Sequence, residues 1–227
     1  MRNINLTASP RTGRIPAYGR PEGSALNPMP NTASNTLPNW RQSTLDCPAI
    51  WRNWLMDSQS LTRRLQRQSP GNFSVTVLRQ TLTRPRRDEA MALGIPHTQL
   101  TLVREVILNG DGQPRVFARS VIPLPALRGK LRFLQRLGNR PLGEFLFKNP
   151  AIKRGPIWLT RWPIKLLPDI PGSNVSTSWG TPRDTVLWAR YSIFRHQQAG
   201  ILVSEVFLPS LLSHTTGKTT STPGRFG

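Results

Sequence analysis

The chain holds a single cysteine, Cys47, and only three histidines, His97, His196 and His214, at distant positions. One cysteine cannot close a disulfide within the chain, and three scattered imidazoles form no metal-ligand cluster of recognisable spacing. Metal enzymes and cysteine-histidine hydrolases are therefore disfavoured. Acidic residues are also few, with 11 Asp and Glu against 31 Lys and Arg and a formal net charge of +20. No apolar run approaches a membrane span. The N-terminus carries Arg2, Arg11, Arg14 and Arg20 among Pro, Ser, Asn and Gly, without the apolar stretch of a secretory signal. The expectation is a soluble, cytoplasmic protein with no membrane insertion, and 227 residues suit one domain of ordinary size.

A charge of this size suggests nucleic acid as a partner, but its distribution counts against that. The basic residues run through the tail, Arg63, Arg64 and Arg67, the triplet Arg84, Arg86 and Arg87, and the series Arg128, Lys130, Arg132, Arg136 and Arg140. No helix-turn-helix, zinc finger or RNA-binding aromatic motif lies among them. A basic exterior would equally steer a small dianion.

Residues 1–46 are rich in Pro, Asn, Ser, Thr and Gly and poor in large apolar side chains, which predicts a disordered extension. A folded domain is expected over 47–212 and a loose polar tail over 213–227. Ile50, Trp51, Trp54, Leu55 and Met56 have helical spacing, and Ser58 or Ser60 offers an N-cap for a second short helix through Leu61 and Leu65. Phe73 to Leu82 alternates as a strand. Two further strands, Leu100 to Leu108 and Arg115 to Ile122, flank Asn109-Gly110-Asp111-Gly112, a hairpin signal. Leu131, Leu134 and Leu137 predict a helix closed by Gly138, and Pro141 starts another through Leu142 and Phe145. A strand and a long loop are expected over Lys153 to Arg183, then a final strand pair, Leu187 to Phe194 and Gly200 to Leu208. With no βαβ rhythm, this order predicts a single α+β domain on a mostly antiparallel sheet, with helical flaps beside it.

Two charges interrupt apolar faces. Leu100, Leu102, Arg104, Val106 and Leu108 share one side of a strand, as do Ile201, Val203, Glu205 and Phe207. Charges are rarely buried unpaired. Either Arg104 and Glu205 neutralise each other, or Arg104 grips the carboxylate of a small anionic ligand while Glu205 accepts a hydrogen bond from its hydroxyl.

Several blocks in order resemble the chorismate lyases. They are Trp54-Leu55 with Ser60-Leu61-Thr62-Arg63-Arg64, Val75 to Arg79, and Val103-Arg104-Glu105-Val106 through Asp111-Gly112-Gln113-Pro114 to Val121-Ile122-Pro123. Leu134 to Gly138, Pro141-Leu142-Gly143, Phe145 to Phe147, Leu187 to Arg190 and Glu205 to Pro209 complete the set. The resemblance implies a monomeric, cofactor-free lyase converting chorismate to 4-hydroxybenzoate and pyruvate at the start of ubiquinone biosynthesis, in a buried pocket under two flaps. Arg104 would hold the ring carboxylate, Glu205 would sit near the 4-hydroxyl, and Leu61 and Leu142 would add contacts from the flaps. Arg190 is the candidate for the enolpyruvyl carboxylate. The chain departs from the family at Leu61, where Met is usual, and at Trp158, where an acidic residue is common. The rival expectation is a non-catalytic module of the same fold that senses an aromatic acid, although no DNA-binding helix pair precedes the core.

Overall fold

A computed structural model describes residues 38–42, 47–170, 186–197 and 199–212. Seven strands form one antiparallel sheet: β1 (Phe73–Thr83), β2 (Thr101–Gly110), β3 (Gln113–Pro123), β4 (Ile152–Arg154), β5 (Trp158–Pro163), β6 (Val186–His196) and β7 (Ala199–Phe207). Their order is β1-β2-β3-β7-β6-β4, and β5 also pairs with β6. Four short α-helices accompany them: α1 (Ala49–Leu55), α2 (Leu61–Gln68), α3 (Arg87–Leu93) and α4 (Leu142–Lys148). The α+β class, the single domain and the antiparallel pairing follow the sequence reading.

Local chemistry sets the element ends. Ser60 caps α2 by accepting a hydrogen bond from Arg63 N. The β2–β3 hairpin turns at Asp111 and Gly112, whose φ values of 52° and 71° are left-handed. β4 and β5 share the outer edge of β6 in succession. Between them Gly155 N bonds Ile193 O at 2.8 Å, so close that a Cβ on Gly155 would lie 3.1 Å from that oxygen. Pro156 then lacks the N–H to continue the ladder.

Five expectations change. The expected strand and loop after Lys153 are two strands and a 3-10 turn, Ile164–Leu166, with 171–185 outside the described residues. The helix expected around Leu131 is a 3-10 segment, Gly129–Arg136, whose three-residue repeat still buries Leu131, Leu134 and Leu137. α3 was not expected at all. Leu100 precedes β2 and is exposed rather than joining its buried face. Pro38 to Gln42, placed by composition in the extension, meets the sheet: Arg41 and Leu159 exchange backbone hydrogen bonds, and the Trp40 ring lies edge-on to Tyr191. The rest of 1–46 and all of 213–227 lie outside the described residues.

The sheet has two covered faces. On one, α3 and Trp40 pack over Val103, Val121, Tyr191 and Leu202. This face carries a buried ion network in which Arg119 Nε bonds Glu89 at 2.6 Å and its Nη1 bonds Glu105 at 2.5 Å. The other face bears two separate apolar clusters. Trp54, Leu55, Leu61 and Leu65 of the first flap cover Val106, Ala118 and Phe207, while Leu134, Leu137, Leu142 and Leu146 of the second cover Leu102, Ile122, Phe194 and Ile201. The flaps meet where a Cβ on Gly143 would stand 3.0 Å from Thr62 Oγ1.

Candidate active site

Between those clusters the same face is polar. Register places Gln80, Arg104, Ser120, Val203 and Ser192 in one row across β1, β2, β3, β7 and β6, and Val106, Ala118, Glu205 and Arg190 in the next. Alternation puts both rows on the flap side. Arg104 and Glu205 therefore line one face, two positions apart along the strands and two strands apart across the sheet.

The two residues have different partners. Arg104 is 3% exposed and donates from Nη1 to Gln80 Oε1 at 2.9 Å and from Nη2 to the carbonyls of Gly138 at 2.6 Å and Arg140 at 3.4 Å. All three acceptors are neutral, and no carboxylate pairs with Arg104 among the described residues. Burial accordingly pulls its guanidinium below the ordinary arginine range. Glu205 Oε2 instead accepts from Arg190 Nε at 2.5 Å. The mutual ion pair that sequence left open is absent.

Arg190, 1% exposed, is committed elsewhere. Its Nη1 donates to the carbonyls of Trp54, Leu55 and Asp57 at 2.9, 3.2 and 2.6 Å, tying the C-terminal end of α1 and the turn after it to the sheet. Leu61 and Leu142, the first residues of α2 and α4, are both buried beneath the flaps.

Two polar residues on this face were not among the site residues expected from sequence. Gln80 reaches Arg104 because the β1–β2 register shifts between Val77 and Arg79: the extra residue turns Gln80 onto the face that simple alternation reserves for Arg79. Arg154 donates from Nε to Ser192 Oγ at 3.0 Å and from Nη1 to the carbonyls of Asp57 and Ser58 at 3.3 and 3.0 Å. Its guanidinium lies 5.7 and 5.6 Å from the ring centres of Phe147 and Phe194. Burial first, and then the neighbouring Arg190 charge, push Arg154 down to about 10 against the pull of Glu205 and Asp57. Trp158, by contrast, stacks on Tyr191 on the opposite side of the sheet, so its departure from the family pattern does not touch this polar band.

Among the described residues no group of three or more His, Cys, Asp or Glu side chains could hold a metal ion, and no helix is long and apolar enough to cross a membrane. The arrangement offers guanidiniums for anions and one fixed carboxylate as an acceptor.

Comparison with known proteins gives the same direction. A Pseudomonas syringae pv. tomato protein named probable chorismate pyruvate-lyase is 40% identical over 177 residues, 77% of this chain and 89% of its own length. A Pseudomonas fluorescens protein of the same name is 45% identical over 159 residues, covering 70% of this chain and 79% of its own. Among solved structures, PhnF from Mycobacterium smegmatis aligns with a TM-score of 0.45 at 14% identity, over 68% of this chain and 66% of that one. The family profile described as chorismate lyase matches residues 34–217, and with these relatives it shows that the chain belongs to the chorismate lyase family.

Proposed function

We propose that this protein is a chorismate pyruvate-lyase, releasing pyruvate and 4-hydroxybenzoate from chorismate in the cytoplasm at the start of ubiquinone biosynthesis. The observation that carries this reading is Arg104: a buried guanidinium held by neutral acceptors, on the same sheet face as a carboxylate that another arginine fixes. Burying a charge without a counterion is costly, and a carboxylate ligand offsets that cost with a two-pronged, charge-assisted bond.

Chorismate supplies its own driving force. The ether carbon-oxygen bond at ring position 3 breaks, its electron pair leaving with the enolpyruvyl oxygen. Position 4 loses its hydrogen as a proton, the ring becomes aromatic, and the released enol takes up a proton at carbon to give pyruvate. The protein's part is to orient the dianion and exclude water. Arg104 anchors the ring carboxylate. Glu205, whose Oε2 is engaged by Arg190, presents Oε1 to the 4-hydroxyl and sets the face from which the neighbouring proton departs. Leu61 and Leu142 close over the ring from the two flaps. No step calls on a metal or an organic cofactor.

Purified protein given chorismate alone is expected to release pyruvate and 4-hydroxybenzoate in equal amounts. Folded protein that binds chorismate without turning it over would leave a sensing module in its place.

A further inference from the structure

Chorismate carries two carboxylates, and Arg104 accounts for one. Arg190 already has a counterion in Glu205, which its Nε meets, while its Nη1 serves three carbonyls of the first flap. Three guanidiniums, those of Arg104, Arg154 and Arg190, share this face with the single carboxylate of Glu205, which leaves two positive charges. Asp57, at the edge, is matched by Arg64 at 2.9 Å. An excess of two positive charges, with Arg104 buried and Arg154 partly buried, is the complement of a dianion.

From these observations we infer that Arg154 is the second anion anchor and binds the enolpyruvyl carboxylate of the substrate, an inference that rests on the lyase reading above. Geometry supports the assignment. Arg104, Ser120, Val203 and Ser192 stand opposite one another across four adjacent strands, and Arg154 Nε is fixed on Ser192 Oγ. Three strand spacings separate Arg104 from Ser192, about 14 Å. This backbone span is of the order of the length of a six-membered ring with an ionised group at each end, each at about 2.8 Å from its guanidinium. Ser120 and Val203 form the floor beneath it. Among the described residues no carboxylate pairs with Arg154, and this separates it from Arg190, whose Nε is held by Glu205; the Nη2 of each makes no hydrogen bond there. Arg154 also holds the carbonyls of Asp57 and Ser58, which links the second anchor to the first flap.

The product 4-hydroxybenzoate has the ring carboxylate but lacks the enolpyruvyl one, and this separates a ligand anchor from a merely structural residue. In Arg154→Gln, kcat/KM for chorismate is expected to fall about 100-fold, while the dissociation constant of 4-hydroxybenzoate, read from tryptophan fluorescence, stays at its wild-type value. Equal losses for both ligands, or unchanged turnover, would overturn the assignment. Should that variant fail to fold, Arg154→Lys keeps the charge and most of the stem but loses the planar fork. A chorismate KM raised about fivefold with 4-hydroxybenzoate affinity retained supports the anchor; parallel changes or none overturn it. Wild-type protein that fails to turn chorismate over sinks the lyase reading instead, and chorismate binding by Arg154→Gln then decides the anchor: selective loss supports it, and retention overturns it.

Discussion

Arg190 and Glu205 stand opposite each other on β6 and β7, and Nε of the first lies 2.5 Å from Oε2 of the second. Arg190 is almost wholly buried, so the carboxylate is its counterion as well as the proposed substrate contact. Replacing Glu205 with Leu leaves that charge unpaired under the first flap, at a cost of about 3–5 kcal/mol in stability. Arg104→Met should behave differently. It removes a buried cation with no counterion, and the carbonyls it releases belong to the exposed residues Gly138 and Arg140, which water can reach. Urea unfolding is expected to show a change of under about 1.5 kcal/mol for Arg104→Met, although both variants lose nearly all turnover. Equal destabilisation by the two substitutions would contradict this division of roles.

The opposite sheet face contributes to acid sensitivity through Glu89. Glu89 is 1% exposed. Burial alone would raise its carboxyl, but hydrogen bonds from Arg119 and the nearby Arg86 charge hold it below its ordinary 4.5. The unfolded chain therefore binds a proton that the folded chain does not, so this contribution is complete above 4.5 and is lost as pH falls through the lower folded value. Glu89→Gln is expected to be less stable than wild type at neutral pH and to lose less on acidification. The stability difference between the two proteins should shrink as pH drops from neutrality into the acid range below 4.5. Parallel losses, followed by chemical denaturation at several pH values, would show that Glu89 does not carry the effect.

The sheet was legible because period-2 alternation and the Asp111-Gly112 turn are local signals, and they place Arg104 and Glu205 on a covered face without any tertiary information. Their true partners were not legible. Gln80 sits on that face only because of an irregularity at Leu78, and nothing in Phe73 to Thr83 marks which residue is the extra one. Arg154 belongs to a three-residue strand flanked by Gly155 and Pro156, too short for alternation to declare a face. α3 was missed for a related reason. Its seven residues open with Arg87, Asp88 and Glu89, so the segment reads as a charged loop, yet Glu89 is buried against Arg119 from a strand far along the chain. Pairings of this kind are tertiary facts, and the ion pair between Arg190 and Glu205 is another.

Part of the surplus positive charge gathers at the second flap. Arg132, Arg136 and Arg140 line a cleft of about 490 Å³ with Phe133 and Gln135, and all three arginines are exposed. This cleft adjoins the proposed ring-carboxylate anchor, since Arg140 O accepts from Arg104 and Gln135 O accepts from Gln80 Nε2 at 2.8 Å. Glu144, which follows in α4, is occupied by Lys148 and does not neutralise the patch. A dianion approaching there feels a field that salt screens: the Debye length falls from about 30 Å at 0.01 M to about 8 Å at 0.15 M. Chorismate kcat/KM should therefore decline as salt is added, with kcat nearly constant, because the patch acts on encounter and not on the bond-breaking step. The double variant Arg132→Gln with Arg136→Gln is expected to lower kcat/KM several-fold at low salt, to converge on wild type at high salt and to leave kcat unchanged. Steady-state kinetics across a salt series checks this, and a salt dependence identical in both proteins would remove the cleft as the route by which substrate enters.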